Sequence, residues 1–124
     1  MYIVVLVAAR GEEEAERIAK ALLEQRLAAC VNIVCGAKSL FWWQGKIDKA
    51  SEALLLIKTK RGCFDKLQDA VRKVHSYDLP EIIALPIVAG EKGYLEWVDG
   101  LCVSGLYSEA REETTNNTNS ADIK

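Results

Sequence analysis

The chain has 124 residues, 50% of them hydrophobic and 27% charged, and sixteen basic against eighteen acidic side chains leave a formal net charge of −2. One domain with a substantial core fits that length, and two do not. The weak acidity excludes a general electrostatic grip on nucleic acid or on an anionic membrane, because either needs a concentrated excess of Lys and Arg.

Tyr2 to Ala9 reads as a strand, apolar at both parities. No basic leader precedes it, and the run is too short to cross a bilayer. Arg10-Gly11 breaks it, and Glu12-Glu13-Glu14 opens a helix whose positive dipole end favours acidic side chains. We expect that run to be a solvated first turn rather than a metal or acid site. Ala15, Ile18, Ala19, Leu22 and Leu23 form the apolar stripe, with Glu16, Arg17, Lys20 and Glu24 mostly on the wet side.

Leu27 to Thr59 predicts a long antiparallel hairpin. The outgoing arm is 27–34, resuming at 39–43; the return arm is 46–47, resuming at 52–59; Gln44-Gly45 is the reversal, with glycine supplying positive φ. Adjacent strand residues face opposite ways, so Trp42 and Trp43 put one indole on each side near the turn. The continuous apolar run Ala53 to Ile57 suits a strand buried on both faces. Cys30 and Asn32 share one face, whereas Cys35 has the opposite parity unless a bulge intervenes.

Arg61-Gly62 punctuates, and Phe64, Leu67, Ala70, Val71 and Val74 mark a second amphipathic helix. The loop His75-Ser76-Tyr77-Asp78-Leu79-Pro80-Glu81 leads into a strand over 82–88, and Pro86, which lacks a ladder donor, predicts a sheet edge. The order is α+β, a ferredoxin-like βαββαβ sandwich with sheet order 4-1-3-2. Tyr94, Leu95, Trp97, Val98, Leu101 and Cys102 predict a short C-terminal helix interrupted at Gly100. The domain is placed at 1–104. The tail over 105–124, rich in Ser, Glu, Thr and Asn, is expected to be disordered, and little weight falls on the glycosylation pattern Asn116-Asn117-Thr118 within it.

Two helices cover one face of such a sheet, yet the first, third and last strands are apolar at both parities. The uncovered face would cost roughly 25 cal/mol per Å² in water, so partner subunits are expected to cover it.

Few residues offer chemistry. His75 is the only histidine and by itself makes neither a metal site nor a nucleophilic triad. The loop His75, Tyr77, Asp78, Glu81 gathers donors and carboxylates at a strand entrance. Lys58 follows a buried run; if its parity follows Leu54 and Leu56, its ammonium must reach an edge, a carboxylate or an anionic ligand. Cys30, Cys35, Cys63 and Cys102 show no CxxC spacing, so reduced thiols in a cytoplasmic protein are expected.

The segments 3–7 with 12–15, Arg26-Leu27-Ala28-Ala29-Cys30-Val31-Asn32, Phe41-Trp42-Trp43-Gln44-Gly45-Lys46-Ile47, 54–59, 75–86 and Tyr94-Leu95-Glu96-Trp97 together resemble the CutA family of divalent-cation tolerance proteins. The resemblance implies a homotrimer of ferredoxin-like subunits exchanging long hairpins, kinship with PII signalling proteins, an association with copper and other divalent cations, and no reaction. The chain departs from the pattern. Ala9-Arg10-Gly11 replaces Ala-Pro-Asp, His75-Ser76-Tyr77 replaces His-Pro-Tyr, and of the family's proposed copper ligands two positions are Val7 and Val74, leaving His75. The expectation is therefore a non-enzymatic trimer with no obligatory cofactor. It binds copper or another divalent ion at a subunit interface through His75 with Cys30, Glu81 or a neighbour's groups. The alternative is a PII-like sensor whose intersubunit cleft holds a small anion, with Lys58 as counter-charge, Trp42 or Trp43 as stacking surface and Tyr77 beside them. A trimer that only docks other proteins is the third reading.

Overall fold

The computed structural model describes residues 1–103. The expected tail and its glycosylation pattern lie outside the described residues. The elements run β1 (Tyr2–Ala9), α1 (Glu12–Glu24), β2 (Cys30–Trp43), β3 (Lys46–Lys60), a 3-10 turn (Arg61–Cys63), α2 (Phe64–Val74), β4 (Ile82–Pro86) and α3 (Lys92–Leu101). Four antiparallel strands form a mixed α+β fold in the sheet order β2-β3-β1-β4. β4 lies at the edge, where a proline costs no ladder bond. It ends at Pro86, short of the expected Val88, though Ile87 N–H still donates to Tyr2 O at 2.9 Å.

Ile3, Val5, Val7 and Ala9 of β1 and Ala53, Leu55, Ile57 and Thr59 of β3 face the helices and are buried with Ile18, Leu22, Leu67 and Val71. The other parity stays half covered: Val4, Leu6, Leu54 and Leu56 are partly exposed, and Ile83 and Leu85 on β4 are 49% and 50% exposed. The apolar second face expected from the sequence is therefore present and open. Leu23, expected on the buried stripe of α1, is 40% exposed instead, because a stripe centred on Ala15, Ile18, Ala19 and Leu22 carries it past the edge of the contact. No helix among the described residues is long and apolar enough to cross a membrane.

The hairpin is continuous where the sequence predicted breaks at 35–38 and 48–51. A bulge between Val34 and Ala37, with Gly36 at φ +79, absorbs the irregularity. Gln44 and Gly45 both have positive φ, 52 and 79, which matches the right-handed twist of the flanking strands. At the tip Trp42 and Trp43 pair with Ile47 and Lys46 on opposite faces and are 71% and 54% exposed. α3 runs unbroken through Gly100. It meets the core through Val98 and Cys102, and Asp99 lies 3.3 Å from Lys60.

Candidate functional site

The main polar centre forms where the end of β1, the start of α1, the middle of β3 and the loop after α2 meet. Glu14, expected in a solvated turn, and His75, expected as an ion ligand at a subunit interface, are buried there at 5% and 8% exposure. Helical spacing places Glu14 four residues before Ile18 and eight before Leu22, so it rides the buried stripe. His75 extends the Leu67–Val71 stripe of α2 by one more turn. These two spacings were the legible signal for a buried pair. The reading of Glu12-Glu13-Glu14 as a solvated turn is corrected for Glu14.

Glu14 is surrounded by donors. Ser76 N–H and Oγ reach its two carboxylate oxygens at 2.8 and 2.9 Å, and Arg10 N–H reaches it at 3.3 Å. His75 Nδ1 lies 3.3 Å from Oε2. Burial works to raise the Glu14 pKa, but the Ser76 backbone and hydroxyl bonds, the electrostatic influence of the adjacent His75 and the Arg10 N–H together hold it below the ordinary value of 4.5. His75 Nε2 donates to Ala8 O at 2.7 Å, and Tyr77 N–H donates to Nδ1 at 3.1 Å. Ala8 O can only accept and Tyr77 N–H can only donate, so this arrangement calls for the Nε2–H imidazole. Both ring nitrogens are occupied.

Tyr77 continues the network. Its ring is 4.8 Å from His75, and its hydroxyl donates to Glu52 Oε2 at 2.9 Å, while Ser39 Oγ donates to Glu52 Oε1 at 2.6 Å. The Tyr77 phenol is pushed up to about 12 by burial first, then by the hydrogen bond and charge of Glu52 and the charge of Glu14, with Arg10 opposing. Glu52 is buried although charged. Sequence reasoning missed Glu14, Ser39, Glu52 and Ser76, because a hydroxyl and a carboxylate thirteen residues apart on a hairpin carry no local motif. Asp78 and Glu81, grouped with His75 in the sequence reading, are exposed and have no part in this network.

A second centre lies on the open sheet face. The register sets Lys58 opposite Cys30 on one side and Val4 on the other, so its parity does follow Leu54 and Leu56. Its ammonium is 4.0 Å from Cys30 Sγ and contacts Asn32 Oδ1. Burial and a hydrogen bond to the Cys30 thiol raise the Tyr94 phenol, which brings α3 to the same spot. Cys35 lies within the bulge and is exposed; partial desolvation and then the charge and hydrogen bond of Glu12 and the charge of Glu16 raise its thiol.

The residues named for a divalent ion do not come together in one chain. Cys30 and His75 are separated by two strand spacings and four residues of rise, roughly 15 Å. His75 has no free nitrogen, and Lys58 beside Cys30 repels a cation. Among the described residues no three His, Cys, Asp or Glu side chains gather as a metal centre. The cleft set likewise separates: Trp42 and Trp43 stand eleven or more residues along the hairpin from Lys58, roughly 35 Å, with Tyr77 between them at Glu52. One chain presents only fragments of these sites, and within it the two indoles do not reach Lys58.

The family model for the CutA1 divalent ion tolerance protein matches residues 3–100. A divalent-cation tolerance protein CutA of Thermus thermophilus is 52% identical over 95 residues, covering 77% of this chain and 92% of that protein. The human protein CutA is 47% identical over 88 residues, which span 71% of this chain and about half, 49%, of the human one. Among solved structures, the periplasmic divalent cation tolerance protein CutA of Archaeoglobus fulgidus superposes with a TM-score of 0.80 at 47% identity, covering 82% of this chain and 99% of that one. With the matching model spanning most of the described residues and relatives near half identity, this chain belongs to the CutA family of divalent-cation tolerance proteins.

Proposed function

We propose that the chain acts in divalent-cation tolerance as a non-enzymatic homotrimer of ferredoxin-like subunits, with the ion held where subunits meet. The observation that carries this reading is a mismatch inside one chain. Its open sheet face and hairpin tip are apolar and uncovered, while the donors named for an ion stand apart. Assembly of identical copies covers the first and lets donors from different chains converge. A hairpin tip apolar on both faces suits insertion between neighbours, so each copy lends its tip to the next. Glu81 keeps an exposed carboxylate, Cys30 takes part only if the Lys58 ammonium moves aside, and imidazole and thiolate suit copper. His75 takes part only by giving up its bond to Ala8 O or to Tyr77 N–H. Four cysteines without CxxC spacing suit a reducing, cytoplasmic setting.

Native mass spectrometry of untagged protein with and without added Cu(II) tests this reading. The expected spectrum is a trimer that takes up copper, with uptake falling together with assembly when Trp42→Glu and Trp43→Glu are introduced. A wild-type monomer, or a monomeric variant binding copper equally well, overturns it.

One observation favours the small-anion reading as well. The Lys58 ammonium meets Cys30 and Asn32 on an apolar face, and among the described residues no carboxylate pairs with it. An acidic small molecule that co-purifies with the wild type should be lost from Lys58→Ala; equal retention removes this reading.

A further inference from the structure

Cys63, in the 3-10 turn that leads into α2, and Cys102, the residue that ends α3, are fully buried. Their thiols are in hydrogen-bonding contact, and Thr59 Oγ1 is 3.4 Å from Cys102 Sγ. Neither thiol belongs to the centres described above. Around them α3 is held by the packing of Val98 and Leu101, the contact of Tyr94 with the Cys30 thiol, an ion pair from Lys60 to the exposed Asp99, and one hydrogen bond of 3.2 Å from Val103 N–H to Arg26 O. The pair therefore sits at the junction that decides whether α3 stays docked.

We propose that Cys63 and Cys102 are a redox pair that closes to a disulfide under a two-electron oxidant such as a peroxide, fixing α3 to the corner between β3 and α2. One thiol attacks the peroxide O–O bond to give a sulfenic acid and release water. The second thiol sulfur then displaces the sulfenic oxygen as a second water, forming the S–S bond. Both sulfurs are oxidised by one electron each, and the two peroxide oxygens are reduced to water. Two features suit a latch rather than a permanent staple. The Cys63 contact and burial raise the Cys102 thiol, and both sulfurs are fully buried, out of reach of an oxidant while α3 is docked. Reaction therefore waits on local opening of α3, a sub-global motion open to an element that buries few side chains in the core. Once formed, the bond closes a loop of about 40 residues, long enough for cross-linking to constrain the unfolded chain substantially.

The test is a peptide map of the whole protein after graded hydrogen peroxide, quenching, alkylation under denaturing conditions and trypsin. Cys63 falls in the peptide 62–66 and Cys102 in 93–111, while Cys30 and Cys35 share 27–38, so the pairings separate cleanly. The expected product links 62–66 to 93–111, lighter by two hydrogens than the two thiol peptides together. It should disappear on reduction and be accompanied by a reversible rise in Tm of about 5 °C. Recovery of both peptides as alkylated thiols after 27–38 has fully oxidised overturns the proposal, as does pairing of Cys63 or Cys102 with Cys30 or Cys35. The Cys102→Ser variant should show neither the linked peptide nor the rise, and an undiminished rise in that variant also overturns it.

Discussion

Glu14 Oε2, in the first turn of α1, lies 3.3 Å from His75 Nδ1, the residue that ends α2, and both side chains are closed from solvent. This contact ties the start of α1 to the end of α2. It also takes up the one imidazole in the chain. His75 is therefore a structural group first, and any ligand must compete with Ala8 O, Tyr77 N–H and Glu14 for it.

The depressed Glu14 pKa makes the fold acid-sensitive in a stated direction. A carboxyl whose folded pKa lies below its unfolded value stabilises the fold fully above the unfolded value, here 4.5, and that contribution is lost as pH falls through the folded pKa. Glu14→Gln should flatten the acid limb of a Tm-versus-pH profile below about pH 4.5. Near neutrality it should cost about 2 kcal/mol, since the Ser76 N–H and hydroxyl and the Arg10 N–H lose a charged acceptor. An unchanged acid limb would show that other carboxyls set it.

Tyr77 and Glu52 should be energetically coupled. Tyr77→Phe leaves a buried carboxylate with one donor fewer, and Glu52→Ala leaves the phenol without its acceptor. A double-mutant cycle by urea unfolding should return a coupling of about 1–2 kcal/mol. A coupling near zero would mean that the contact contributes nothing to stability.

Trp42→Glu with Trp43→Glu should separate assembly from folding. The two indoles are more than half exposed in the single chain, so the charges replace no intrachain core contact. Size-exclusion chromatography with light scattering should find the wild type as a trimer and the variant as smaller, folded species with unchanged far-ultraviolet dichroism. A variant that still assembles would move the interface away from the hairpin tip.

Arg26→Gly should stabilise the chain. Arg26 ends α1 with φ 58, in the left-handed region, while Leu27 N–H reaches back to Leu22 O at 2.9 Å in the pattern that usually carries glycine. Relief of Cβ strain of about 1–2 kcal/mol outweighs the added freedom of the unfolded chain. The net gain should be about 0.5–1 kcal/mol, read as a Tm rise of a few degrees. A fall in Tm would mean that the Arg26 side chain holds contacts worth more than the strain.

Much of the fold was legible because its signals are local. Alternation and helical spacing located every strand and helix, Pro86 marked β4 as an edge, and Gln44-Gly45 marked the reversal. Leu23 was misjudged because one residue of helical phase decides whether a side chain at the rim of a stripe is covered. Cys30 and Lys58 were each singled out, but their adjacency follows from the β2–β3 register, which the bulge at Gly36 shifts.

The sequence by itself determined the elements, their faces, the family and the presence of a second apolar sheet surface, since each depends on neighbours within a turn or a strand repeat. Only the tertiary structure decided which polar groups meet. Glu14 finds Ser76, Ser39 finds Glu52, Cys63 finds Cys102, and His75 is closed off rather than offered. The physical reason is that buried polar groups select partners by geometry across elements far apart in the chain, where hydrogen-bond satisfaction leaves no periodic trace in the sequence.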